Sequence, residues 1–156
     1  MRTNDKKQYR TKVDSLIRSW LNERQELILL LCAVNGLKEY TPDETPVEVK
    51  IQAFCQVLID YISAGHFEVY KALWAECKSL DGQDFKAARA LSRKLEQSTE
   101  LALAFNDDFD TPEHCQQLRK LLPRQLSELG ERLEERFELE DKLIALLHGA
   151  CDIEAA

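Results

Sequence analysis

The chain has 156 residues, the size of one ordinary domain, and one that folds without disulfides or metals to staple it. Hydrophobic residues make up 44% and charged residues 31%, which excludes a disordered chain, and five glycines with four prolines leave few turns for a many-stranded β fold. The formal net charge of −7 argues against direct binding of nucleic acid, whose partners carry a basic footprint.

The five cysteines are Cys32, Cys55, Cys77, Cys115 and Cys151, an odd number without a C-x-x-C pair. This pattern fits free thiols in a reducing cytosol better than a disulfide framework or a zinc site. The longest apolar run, Leu27 to Val34, is far short of the roughly 20 residues that span a bilayer. The basic residues near the start are not followed by an apolar signal core. A cytoplasmic protein with no membrane contact is expected.

Four amphipathic helices are predicted in chain order. The first runs from about Asp5 to Val34, with Val13, Leu16, Ile17, Trp20, Leu27, Leu31 and Val34 on one face and Asn35-Gly36 as its stop. The second begins at Thr45-Pro46, where Glu48 completes a capping box, and ends at Asp81-Gly82. Its stripe is Ile51, Phe54, Cys55, Leu58, Ile62, Val69 and Leu73, and Gly65 in its middle marks a kink or the close approach of another helix. The third covers about Asp84 to Phe105, carried by Ala88, Leu91, Leu95, Ala102 and Phe105, before an acidic turn at Asp107, Asp108 and Asp110. Thr111-Pro112 repeats the cap-plus-proline start. The last helix, kinked or broken near Pro123, keeps Leu126, Leu129, Leu133, Phe137, Ile144 and Leu147 on one face to about Cys151. Short connections between such helices predict an all-α, antiparallel, up-down-up-down four-helix bundle as one domain over residues 1–156.

Three polar residues fall within these stripes: Arg24, His66 and Glu140. A buried charge is costly unless paired, so the three are expected to meet in the bundle interior, with Asp141 joining from the margin. Two readings stand: a polar network that fixes helix register, or a ligand or metal site. Carboxylate-bridged metal bundles use Glu-x-x-His, and the chain has none. No metal and no cofactor is expected. Asp60, Ser63 and His66 are triad residue types on one helix, without a nucleophile elbow, so no catalytic residues and no enzyme are expected.

At about 100° per residue, Asp60, Ser63, Phe67 and Trp74 point away from the second helix's core stripe, with Tyr70 beside them. Aromatic side chains aligned next to an acid read as an interaction surface, or as the second side of a centrally packed helix. Charge is also uneven: residues 96–156 hold 15 acidic and 6 basic side chains. That excess favours a basic partner such as a DNA-binding module.

Three blocks carry a resemblance. Phe54-Cys-Gln-Val-Leu-Ile-Asp-Tyr-Ile-Ser-Ala-Gly-His-Phe-Glu-Val-Tyr70, Leu133-Glu-Glu-Arg-Phe-Glu-Leu-Glu-Asp-Lys-Leu-Ile144 and Arg18-Ser-Trp-Leu-Asn-Glu-Arg-Gln-Glu-Leu27 resemble the Rsd/AlgQ family of bacterial anti-sigma factors, nearest its AlgQ branch. The likeness runs over essentially the whole chain and is thinnest from Ala72 to Ala102. It implies a helical-bundle transcription regulator whose partner is the C-terminal domain of the primary, housekeeping sigma factor of RNA polymerase. Sigma is thereby kept from core enzyme and promoter, and alternative sigma factors gain, as in stationary phase. The AlgQ branch is linked to alginate and siderophore genes. The family's sigma-binding acid, serine and phenylalanine match Asp60, Ser63 and Phe67; Tyr70 and Trp74 extend the expected face. The chain is expected to act as a monomer or weak homodimer. The alternatives from other classes are a hemerythrin-like metal-binding bundle and a structural oligomeriser pairing through the Phe67–Trp74 face.

Overall fold

A computed structural model describes residues 3–35, 47–76 and 82–155. The elements in order are α1 (Thr3–Asn35), α2 (Val47–Ala64), a π-helical turn (Gly65–Val69), α3 (Tyr70–Glu76), α4 (Gly82–Phe109), α5 (Pro112–Gln117), a 3-10 turn (Arg119–Leu121) and α6 (Leu122–Ala155). The fold is an all-α bundle of long helices. Its neighbours run antiparallel: α1 meets α2 through Trp20 against Tyr61 and α3 through Tyr9 against Ala72, and α4 meets α2 through Phe105 against Phe54 and α3 through Phe85 against Trp74. The circle closes where Arg24 of α1 bonds Asp141 of α6 and Arg10 bonds the His148 carbonyl.

The long helices bury residues mainly at three- and four-residue intervals, the spacing of a bundle seam. In α6 the buried set is Leu122, Leu126, Leu129, Leu133, Arg136, Glu140, Leu143 and Leu147. The predicted stripe followed Phe137 and Ile144 instead. Both are only half-buried, because the seam passes through Arg136 and Leu143 one position earlier. In α4 the seam extends to Phe109, four residues beyond the expected end, so Asp107 and Asp108 lie in the last helical turn rather than in a loop.

Local signals explain the breaks. Thr111 caps α5 by accepting from the His114 N–H at 3.1 Å, with Pro112 at the first helical position. The break expected near Pro123 lies just before it, at the 3-10 turn, so the proline sits in the first turn of α6 where its missing N–H costs nothing. The Thr45-Pro46 cap, Gly36, Asp81 and Cys77 lie outside the described residues.

The second helix departs from α geometry at Gly65. The Trp20 ring stacks on Tyr61, centroids 4.7 Å apart and planes 2° from parallel, and its indole N–H donates to the Tyr61 carbonyl at 3.0 Å. A Cβ on Gly65 would lie 2.8 Å from Trp20 Cζ2, so only glycine admits this contact. Here the helix widens, and the Tyr70 N–H bonds the Gly65 carbonyl, five residues back.

Candidate partner-binding face and the buried network behind it

The bundle interior holds a carboxylate with four donors. Glu140 is fully buried. Its Oε1 accepts from Tyr61 Oη at 2.5 Å and from Arg24 Nη2 at 3.3 Å; its Oε2 accepts from Tyr70 Oη at 2.5 Å and from Arg136 Nε at 3.1 Å. Arg24 also donates to Tyr61 Oη at 2.9 Å and to Asp141 Oδ1 at 2.7 Å. Arg136 reaches across to α4, donating to the Leu95 carbonyl at 3.1 Å, Ser98 Oγ at 2.9 Å and Thr99 Oγ1 at 2.7 Å. Two guanidinium cations thus face two carboxylates, and the cluster ties α1, α2, α3, α4 and α6 together.

Burial, the largest cause, and then the Glu140 charge push both phenols well above the usual tyrosine range, against the pull of Arg24 on Tyr61 and of Arg136 on Tyr70. Both stay protonated donors at neutral pH. Burial draws the Arg24 guanidinium down, but Tyr61, Asp141 and Glu140 outweigh it, so it is held even more firmly charged.

The structure brings Arg24, Glu140 and Asp141 together and leaves His66 out. His66 is exposed, its ring against Phe67 at 4.9 Å. The wheel that placed it inward assumed unbroken α geometry, and the wide turn beginning at Gly65 breaks that assumption. The places expected for His66 are taken by Tyr61 and Arg136, neither of which was expected. Arg136 carried a signal: it stands four residues before Glu140, on the three-four seam.

The five residues expected on the outward face divide. Asp60 is exposed and accepts from Gln56 Nε2 at 3.1 Å. Ser63 is half-buried on the same side. Phe67 is 62% exposed, and Lys71 Nζ lies 5.9 Å from its ring centre. Tyr70 and Trp74 are drawn inward, a correction to the expected face. The Tyr70 hydroxyl is committed to Glu140 and Arg136, and the Trp74 ring packs edge-on against Phe85 of α4 at 5.7 Å.

The rim around Asp60 is acidic. Glu23 of α1 has its Oε2 buried without a hydrogen-bond partner. Burial and then the charges of Asp60, Glu68 and Glu26 raise its pKa. These acids repel one another, which favours a cationic visitor. Among the described residues, no group of three or more His, Cys, Asp or Glu side chains is arranged to hold a metal ion, and no helix is long and apolar enough to cross a membrane.

The family model for "Regulator of RNA polymerase sigma(70) subunit, Rsd/AlgQ" matches residues 1–148. This chain belongs to the Rsd/AlgQ family. A Regulator of sigma D from Yersinia pseudotuberculosis is 33% identical over 132 residues, covering 84% of this chain and 78% of the relative. One from Shigella dysenteriae is 33% identical over 148 residues, covering 90% of this chain and 88% of that protein. As a member of the Rsd/AlgQ family, the chain is a transcription regulator directed at the sigma(70) subunit of RNA polymerase.

Proposed function

We propose that this Rsd/AlgQ member is an anti-sigma factor that works by occupancy. It binds the C-terminal domain of the primary sigma factor through Asp60, Ser63 and Phe67, covering the surface that domain uses to contact core polymerase and promoter DNA. No bond is made or broken, and no cofactor takes part. Free core enzyme is then left to alternative sigma factors.

The observation that carries this reading is Phe67. A large aromatic held 62% exposed beside an acidic rim is poorly placed in water and well suited to enter an apolar pocket flanked by basic side chains. A surface that contacts DNA phosphates carries basic side chains, which would meet Asp60 and its acidic neighbours. The relatives named Regulator of sigma D support the choice of partner.

The test is competition. The chain is added to a stoichiometric mixture of the primary sigma factor and core polymerase, and the complexes are separated by size. The proposal predicts a sigma–chain complex that grows as holoenzyme declines. A complex holding sigma, core and this chain together overturns occlusion.

A further inference from the structure

The wide turn at Gly65 separates two aromatic residues that a regular helix would hold together. In unbroken α geometry, positions 67, 70 and 74 lie close to one another on one face. Here the turn from Gly65 to Val69 takes five residues between bonded groups, and everything after it is rotated back. Tyr70 therefore enters the bundle to meet Glu140, while Phe67 stands alone outside.

Trp20 sits at the origin of that turn. Its indole N–H shares the Tyr61 carbonyl, the acceptor that a regular α-helix reserves for the Gly65 N–H four residues on. Its ring edge fills the space where a side chain at 65 would stand, and its face meets Tyr61 and, edge-on, Tyr70 at 5.9 Å. We propose that Trp20 and Gly65 are positioning residues for the partner face: by holding the π turn they aim Phe67 outward at a set angle to Asp60 and Ser63. Neither touches the partner, and the inference rests on the sigma-binding reading of that face. Wide turns of this kind recur at functional sites.

Gly65→Ala forces a Cβ against Trp20 and should weaken binding of purified primary sigma factor by about tenfold or more. Trp20→Phe, whose single ring lacks the indole N–H and the Cζ2 edge that crowd position 65, should weaken binding comparably by freeing the turn. Two further measurements separate positioning from mere destabilisation. On a Phe67→Ala background, neither change should weaken binding by more than about twofold, because the side chain they aim is gone. On a Trp20→Phe background, Gly65→Ala should add little further loss.

If Phe67→Ala weakens binding but Gly65→Ala, folded by its melting curve, binds as the unaltered chain does, the positioning role is overturned and the face stands. Should Gly65→Ala fail to fold, Trp20→Phe decides: a loss that disappears on the Phe67→Ala background supports the role, and unaltered affinity or a loss that persists there overturns it. If Phe67→Ala itself binds normally, the partner face is wrongly assigned and this inference falls with it.

Discussion

Glu140 joins four elements of the fold through one buried side chain. Its carboxylate accepts from two phenols and two guanidinium groups, one from each of four elements including its own. Truncating it leaves Arg24 and Arg136 buried without their shared counter-charge. Removing one partner of such a buried set costs about 3–5 kcal/mol. At roughly 2–4 °C per kcal/mol for a chain this size, Glu140→Ala should lower the melting temperature by about 6 °C or more. His66→Ala, at an exposed position, should leave it within about a degree in the same melts. The phenols make a second residue-level expectation. The folded chain keeps the Tyr61 and Tyr70 protons that the unfolded chain releases near pH 10. The unfolded state therefore binds fewer protons above that pH. The stability of this pair is fully present below about pH 10 and falls as pH rises beyond it. Denaturant titrations between pH 8 and 11 should show that fall, and Tyr61→Phe should flatten it; an identical slope in the variant would contradict the assignment.

At the scale of the element, much was legible in the sequence. The apolar spacing of α1, the start of α5 at Thr111-Pro112 and the break before Pro123 all followed from local chemistry. Thr111→Ala should cost about 1 kcal/mol through the lost cap, read as a shifted urea midpoint with an unchanged slope. Two things were not legible. In α6 a count restricted to apolar residues slides onto Phe137 and Ile144, because the true seam passes through Leu143 and through Arg136, whose burial depends on partners from other helices. In the second helix the wheel presumes a constant pitch, and nothing local announces a π turn. Gly65 alone signals a close approach; only Trp20, 45 positions earlier, says what approaches. That single change of pitch moved Tyr70 inward and left His66 outside. Asp60 precedes the turn, so its outward placement was legible from periodicity alone.

For the whole molecule, the buried network and the outward rim are two sides of one helix. Tyr61 locks the inner side to Glu140 while Asp60, the residue before it, faces out. Stability and partner binding should therefore separate by mutation even between adjacent positions. The uneven charge, with 15 acidic against 6 basic residues from 96 onward, adds a negative field that would steer a basic partner without fixing where it docks. The most direct measurement is a titration of the purified primary sigma factor with Asp60→Ala and Phe67→Ala, alongside their melting curves. The account predicts affinity reduced by about 30-fold or more in each, as for loss of a buried charge partner or a central aromatic anchor, with melting temperatures unchanged within about 2 °C. Binding at the affinity of the unaltered chain by either folded variant would contradict it.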